Sequence, residues 1–565
     1  MGYQLINTLY WNRVEGEKGD KLVFVLKDEK GNKSFQIVEK PVVTYYMTKP
    51  EHWGDDIGVY LDEQHTISYV PMDKVTPVKA YYKDLYPSIY RNLKDSRLES
   101  FYKETLASGN QINKKLRQMH LDDRLHGSDI NVQDYYIAQF LKKYNYEENF
   151  NGITKTFFDI EVDIADLEGF PDPEKAEVPV NVITLVDEQT LTSYSYCLKY
   201  EHDGYNKVMR DKEAFKKRLK QKYKNIEEKL GKPLNFEIIE FDDELELITA
   251  FFDAINKDIK PDFCCAWNIA FDFVYLYNRI LNIGGSTEKI MCADELVYKQ
   301  AYYKLDTRNQ DPADRSDSYF VSGYTVYLDL MCLYANLRKA SGKKESYALD
   351  FIGELEVGMK KDKLESDFKT VHYDDYESFL TYNIQDTIML MMIEMKNNDI
   401  NVYYTISMIT QTRIEKALKK TICLRNFAGT FYQKLGLVIS NNRSSQFPKQ
   451  DKIKGAFVGD PNNIDNIGMK IVYNPSNRML ELVVDLDLAS LYPNITITFN
   501  ISPETCLGKI TVRDAMGNDI TDQFVDDYTS GDVINFGIKY LGLPTVEEMY
   551  EIIKEALEES EVEAV

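Results

Sequence analysis

Three acidic signals carry most of the chemistry that this chain could perform. Asp159 and Glu161 flank Ile160 in Phe158-Asp159-Ile160-Glu161, and residues two apart on a strand point to one face. Two carboxylates side by side on a buried strand repel each other unless a cation lies between them. A strand end with two solvated acids would show the same pattern. Asp272 closes Trp267-Asn268-Ile269-Ala270-Phe271-Asp272, where a strand stops and a helix begins; capping that helix is its simplest structural role. Tyr382 and Asp386 stand four apart in Tyr382-Asn383-Ile384-Gln385-Asp386 and share one helical face, as such pairs do on any amphipathic helix. Hard divalent cations prefer carboxylate oxygens, and an acidic chain suits that chemistry.

The elements that must position them follow from hydrophobic patterning. Residues 153–163 and 181–187 read as buried strands of a mixed sheet, followed by a long basic helix from Phe215 to Lys229 and a second helix near Leu245–Ile255. Cys264–Trp267 is strand-like and Asp272–Leu281 has helical spacing. Strands alternating with helices predict an α/β domain with a largely parallel sheet. Residues 295–324 are polar and tyrosine-rich, and predict a hairpin or long loop. Helices are expected at Tyr347–Leu355 and Tyr376–Asn397, with further helical signal from Ile400 to Leu437 that carries Arg413, Lys416, Lys419, Lys420 and Arg425. Before residue 150, short β-rich runs (Leu22–Leu26, Val42–Met47) alternate with charged loops, and a polar helical stretch is expected near Arg91–Arg124. A loop, Asn441–Lys454, leads to a further strand region, Arg478–Leu488.

Composition sets the outer bounds. At 565 residues the chain should hold three to five units of roughly 100–200 residues. Its 68 Lys+Arg against 91 Asp+Glu give a net charge of −23, which argues against a surface coated with nucleic acid and leaves room for local basic grooves. No run approaches the ~20 apolar residues of a membrane helix, and the first residues lack a basic-then-apolar leader pattern. The 7 cysteines show no C-x-x-C spacing and are odd in number, which fits a reducing compartment. The 6 histidines form no paired metal motif.

Together the three acidic signals, D-x-E, N-x-x-F-D and Y-x-x-x-D in that order within one α/β region, resemble the proofreading exonuclease of the DnaQ-like superfamily, in the form carried by family B DNA polymerases. The resemblance implies an RNase H-like fold in which Asp159, Glu161, Asp272 and Asp386 hold two Mg2+ or Mn2+ ions and Tyr382 orients the attacking water. Hydrolysis of a phosphodiester needs a hydroxide nucleophile and places charge on the departing 3′ oxygen, and two hard cations ~3.5–4 Å apart stabilise both. Asn268 and Phe271 are implied DNA contacts, although their spacing is one residue shorter than in most family B members and resembles the protein-primed ones.

A second signature lies further on. Asp485-Leu486-Asp487-Leu488-Ala489-Ser490-Leu491-Tyr492-Pro493-Asn494 resembles motif A of the family B palm, with Asn494 where Ser is usual. By that resemblance Asp487 is a polymerase metal ligand. The backbone of Ser490, Leu491 and Tyr492 then meets an incoming dNTP with its Mg2+, and the Tyr492 ring excludes a 2′-hydroxyl. Gly169-Phe170-Pro171-Asp172-Pro173, Lys175-Ala176-Glu177, Gly455-Ala456-Phe457-Val458 and Ile501-Ser502-Pro503-Glu504-Thr505 are similar to strings in the replicative polymerases of T-even-type bacteriophages. Departures follow. No K-x-x-x-N-S-x-Y-G fingers helix and no D-T-D appear after Asn494, and Asp306-Thr307-Arg308 is no substitute. A polymerase site with Asp487 as its sole aspartate cannot hold both ions, so this chain alone is not expected to polymerise.

The last residues form a capping box, Thr545 with Glu548, ahead of an apolar stripe of Val546, Met549, Tyr550, Ile553 and Leu557 among eight Glu and the single Lys554. This is either a solvated surface helix or a docking helix for a second polypeptide, whose composition should be basic. Local basic runs occur at Lys216–Lys224, Arg413–Arg425 and Arg443–Lys454. The first reads as a solvated face. In the third, Arg443, Lys449, Lys452 and Lys454 are the preferred DNA contacts, because the chain there passes between exonuclease and palm.

The reading is therefore an α/β multidomain chain. It has a β-rich N-terminal domain (1–153, with a return segment 399–455), a 3′→5′ exonuclease domain (154–398) and a partial palm (456–544). An acidic helix (545–565) follows, which starts the fingers or docks a partner. The expected function is the N-terminal subunit of a split replicative DNA polymerase in the cytoplasm of a bacterial host. It would act on primer–template DNA and single-stranded 3′ ends, and be completed by a second chain that also carries the contact to the replisome clamp. A stand-alone exonuclease with a vestigial palm, a non-catalytic assembly subunit and a piece of a longer chain are the alternatives.

Overall fold

Phe157 and Phe158 are neighbours in sequence yet are buried in two different cores, one on each face of a sheet. That alternation is the strand period made visible, and it organises the molecule. A computed structural model describes residues 3–12, 19–55, 57–60, 68–93, 118–144, 152–200, 202–361 and 369–441. The chain divides into two units, Met1–Gln450 and Asp451–Val565, and every described residue lies in the first. The partial palm, Asp487, Ser490, Leu491 and Tyr492, the basic residues Arg443, Lys449, Lys452 and Lys454 and the acidic terminal helix lie outside the described residues.

The N-terminal region is built from small antiparallel sheets. Strands β1 (Gln4–Trp11), β2 (Lys21–Lys27) and β3 (Lys33–Glu39) form a meander. Strand β4 (Val42–Thr48) pairs with two later strands, β7 (Val75–Tyr81) and β8 (Leu125–His126), while β5 (Val59–Tyr60) pairs with β6 (Ser68–Pro71). Two helices pack here, α1 (Leu85–Leu93) and α2 (Val132–Tyr144). Of the polar helical stretch expected at Arg91–Arg124, the described residues show only the end of α1 and a 3-10 turn at Gln118–Leu121.

The central sheet has six strands in the order β12-β11-β10-β9-β13-β16. Its members are β9 (Lys155–Val162), β10 (Val180–Asp187), β11 (Thr192–Leu198), β12 (Asn235–Phe241), β13 (Phe263–Ala266) and β16 (Val326–Asp329). The sheet is mixed rather than largely parallel: β9, β10 and β11 form an antiparallel run, while β11–β12, β9–β13 and β13–β16 are parallel. The reason is the connection between β10 and β11. The Asp187 carboxylate accepts the Gln189 and Thr190 amides and closes a turn too short for a crossover. A separate hairpin, β14 (Ala301–Lys304) with β15 (Ser318–Val321), realises the tyrosine-rich stretch.

Helices cover both faces. On one, α3 (Glu244–Asp253) and α4 (Ile269–Asn282) bury Leu247, Phe251, Phe273 and Leu276 against Phe158, Ile160, Ile183 and Leu185. On the other, α5 (Leu330–Leu337) and the long helix α6 (Tyr376–Asn397) bury Leu333, Ile384, Ile388 and Met391 in the core with Phe157, Val182 and Val186. The single basic helix expected over Phe215–Lys229 is instead two, Lys212–Lys222 and Lys224–Leu230. The break is at Tyr223, whose buried ring stacks on Phe236 with centroids 5.9 Å apart. The charges of that run are partly neutralised, Lys216 by Glu237 and Arg218 by Glu377.

After α6 the chain continues through α7 (Asp399–Ile409) and α8 (Lys420–Lys434) to β17 (Leu437–Ile439), which pairs with β6. Contacts to the N-terminal region line this path. The Tyr404 hydroxyl donates to the Leu5 carbonyl at 2.6 Å, and Arg413 meets Asp134 at 2.7 Å. A buried ion triad joins the meander to the central sheet: Asp262 accepts Lys27 at 2.7 Å and Lys33 at 2.8 Å.

Candidate active site

The site is assembled where parallel strands end. Register places Ala266, the last residue of β13, opposite Asp329, the last residue of β16, and β9 runs parallel beside them. Loops after such strand ends are where an α/β sheet leaves room for ligands. Asp159 and Glu161 alternate with Ile160 and Val162. Ile160 and Val162 are buried in the core under α3 and α4, so the two carboxylates face the side of Phe157 and α6.

From α6, Asn383 donates its amide to Asp159 Oδ2 at 2.7 Å. One helical step away, Asp386 accepts the Lys361 ammonium, and Lys361 Nζ also meets the Tyr382 hydroxyl at 3.0 Å. The Lys361 nitrogen sits 4.9 Å over the Tyr382 ring. Asp272 joins from the other face. It lies in the first turn of α4 rather than capping it: the cap position belongs to Asn268, which turns the chain in the left-handed conformation at φ 65, ψ 50. Asn tolerates that conformation better than most residues.

Electrostatics show how closely these acids are held. Burial, and then the charge of Asp386, push the Asp159 carboxyl up to about 7. Glu161 is raised well above its ordinary value by burial, then by Asp159 and Asp386. Asp272 is raised by burial and by Asp159, against a hydrogen bond from the Ile160 backbone. Asp386 attracts the Lys361 ammonium strongly enough to overcome burial and lift it above its usual range. Burial and Asp386 push the Tyr382 phenol up to about 12. Among the described residues no three His, Cys, Asp or Glu side chains close into a ready metal cage, and Lys361 is the cation that faces this cluster.

Asp159, Glu161, Asp272, Tyr382 and Asp386 thus come together from three elements. Phe271 is packed against Tyr275 and Phe170 with centroids 5.6 and 5.5 Å away, and Phe170 is 83% exposed. Asn268 is turned toward Arg315, at 3.5 Å.

Sequence reasoning missed three groups. Asn383 sits inside the Y-x-x-x-D string, three residues before Asp386, and helical spacing alone placed it near that face. Lys361 carried no comparable signal, since it lies in a loop that Gln385 pins by donating to the Lys360 carbonyl. A third, Asp329, caps α5 by accepting the Cys332 amide at 2.9 Å, and its carboxyl is pushed up to about 6 by burial.

Residues 101–352 match the family model for the exonuclease domain of family B DNA polymerases. That stretch is similar to the exonuclease region of the family. Among its relatives, the DNA-directed DNA polymerase of Escherichia phage RB69 is 25% identical over 391 residues, covering 68% of this chain and 39% of that protein. DNA polymerase 1 of Saccharolobus solfataricus is 25% identical over 395 residues, covering 66% of this chain and 38% of that protein. The DNA-directed DNA polymerase of Enterobacteria phage T4 is 22% identical over 474 residues, covering 80% of this chain and 46% of that protein. The chain spans less than half the length of each of these relatives.

Proposed function

We infer that this chain is a divalent-metal-dependent 3′→5′ exonuclease that removes nucleotides from single-stranded DNA ends. The observation that carries the reading is the convergence of Asp159, Glu161, Asp272 and Asp386, in which burial and neighbouring carboxylates raise the proton affinity of the first three. Such a donor set fits hard cations, because carboxylates crowded in a desolvated place are unfavourable as anions until positive charge is supplied. When bound there, Mg2+ or Mn2+ would supply a hydroxide nucleophile at neutral pH and stabilise charge on the departing 3′ oxygen. Asn383 orients Asp159, and Lys361 holds Asp386 and the Tyr382 hydroxyl in one arrangement. The Tyr382 hydroxyl would then orient the attacking water. That water adds to phosphorus, the bond to the 3′ oxygen of the penultimate sugar breaks, and a 5′-mononucleotide leaves a new 3′-hydroxyl end.

On the DNA side, the exposed Phe170 ring backed by Phe271 offers a stacking face for a terminal base. Asn268 and the basic run with Arg443, Lys449, Lys452 and Lys454 belong to the same reading as strand contacts. The fold of residues 154–398 is read as RNase H-like, with 1–153 and 399–455 as one N-terminal domain; the pairing of β17 with β6 supports that division.

The polymerase part of the reading rests on sequence. Asp487 would hold one metal ion, and Ser490, Leu491 and Tyr492 would meet the dNTP of a palm that needs fingers, a second palm carboxylate and thumb from further polypeptide. A separate partner chain, and a replisome clamp reached through it, belong to this reading. Among the described residues no helix is long and apolar enough to cross a membrane.

The test is the polarity of degradation. A single strand labelled at its 5′ end should shorten stepwise with Mg2+, release 5′-mononucleotides and stop with chelator. Loss of the 5′ label as the first product would overturn the assignment.

A further inference from the structure

A second concavity opens between the β14–β15 hairpin, strand β1 and the segment that leads into α8. Its volume is about 610 Å3, within the roughly 300–1,000 Å3 of sites that hold small molecules. Among the described residues, none of Asp159, Glu161, Asp272, Tyr382 or Asp386 lines it.

Its walls combine cations with rings. Lys304, Arg315, Lys416 and Lys419 line it together with Tyr302 and Phe320. Arg315 is matched by Asp317 and Asp329, and Arg413, also in the wall, by Asp134 and Glu415. Lys304, Lys416 and Lys419 have no carboxylate within ion-pair distance among the described residues. They also crowd one another. The Lys416 ammonium is held below its usual range by burial, and Arg413, Lys419 and Lys304 push it the same way against Glu415. Glu415 also lines the cavity, yet three crowded lysines outnumber it and none of them is ion-paired among the described residues, which leaves excess positive charge for an anion.

The rings supply the other half. Tyr302 and Phe320 are direct cross-strand partners, with centroids 4.9 Å apart and planes at 15°. Tyr302 is 47% exposed, so the pair presents an open aromatic face at the rim, of the kind on which bases stack. A phosphate beside lysines and a planar base on a ring are the two halves of a nucleotide.

We propose that this cavity binds a nucleoside phosphate unit, with its phosphate on Lys304, Lys416 and Lys419 and its base against Tyr302, at a site separate from the carboxylate cluster. The unit is either a free nucleotide or one link of a single strand. The proposal does not depend on the hydrolytic reading.

The test uses the full chain with Asp159→Ala and Asp386→Ala, in chelator, titrated with a fluorescent oligothymidylate. Adding Lys416→Glu/Lys419→Glu should weaken binding by about tenfold or more, and Tyr302→Ala by several-fold, with thermal unfolding unchanged. An oligomer carrying 5-iododeoxyuridine should crosslink on irradiation to a peptide containing Tyr302 or Phe320. Competition by thymidine monophosphate would assign the site to free nucleotides, and its failure to compete would assign it to a strand. In the otherwise unaltered chain, Lys416→Glu/Lys419→Glu should leave trinucleotide hydrolysis unchanged, which separates this site from the hydrolytic one. Affinity within about twofold in both variants, or crosslinks confined to other peptides, would overturn the proposal.

Discussion

The Asn383 amide reaches the Asp159 carboxylate at 2.7 Å across a sequence separation of 224 residues. This contact, beside the apolar packing of Ile384 and Ile388, fastens the middle of the long helix to the strand that carries the D-x-E pair. Asn383 is fully buried. Partners of metal-binding carboxylates commonly change metal affinity or activity 10–100-fold when removed. Asn383→Ala is therefore expected to raise the Mg2+ concentration for half-maximal exonuclease activity by about tenfold or more. A magnesium titration of initial rates checks this, and an unchanged midpoint would place Asn383 in a packing role alone.

Lys361 makes a different prediction. Its ammonium is the cation beside Asp386, so a bound divalent ion and Lys361 share the same acid. Lys361→Met should lower melting temperature in chelator, by the equivalent of about 1–3 kcal/mol for a lost charged hydrogen bond. Added Mg2+ should restore much of that loss, and the exonuclease rate should fall because the Tyr382 hydroxyl loses the Lys361 contact. Lys361→Arg should recover part of the rate. Equal melting shifts with and without Mg2+ would show that Lys361 only packs.

The Lys27–Asp262–Lys33 triad predicts how firmly the N-terminal meander is held. All three side chains are buried, and removing one partner of a buried pair leaves uncompensated charge at a cost of about 3–5 kcal/mol. Asp262→Asn should destabilise the protein by about that amount in denaturant unfolding. Lys33 adds a pH signature. Burial pushes its ammonium down to about 8, against the attraction of Asp262. Because the folded value lies below the unfolded one, the unfolded state holds more protons between the two, and stability gains with rising pH there. Relative to Lys33→Met, the unaltered chain should gain stability from pH 8 toward pH 10; a flat difference would contradict the shift.

Much of the acidic cluster was legible in the sequence because it obeys simple periods. Asp159 and Glu161 share a face by the two-residue repeat of a strand, and Tyr382 and Asp386 by the turn of a helix. Asp272 could be placed at a strand-to-helix junction, but not in the first turn with Asn268 as the cap, since that depends on one left-handed residue. Lys361 was invisible because a loop side chain reaches its partners only through tertiary packing. The sheet was read as too parallel for a related reason. A hydrophobic run marks β10, whereas the polar β11 went unread, and the Asp187 turn that joins the two antiparallel is local polar chemistry. Tyr223 split the basic helix by burying its ring, an event that charge and helix propensity do not register.

The most direct test of the carboxylate site is the initial rate of Mg2+-dependent shortening of a 5′-labelled single strand by Asp159→Ala/Glu161→Ala, beside the unaltered chain. Both proteins are first matched by thermal unfolding. A loss of about a thousandfold or more is expected if these two acids hold the metal ions of the proposed reaction. Undiminished digestion by the double variant would contradict it and place the hydrolytic site elsewhere in the chain.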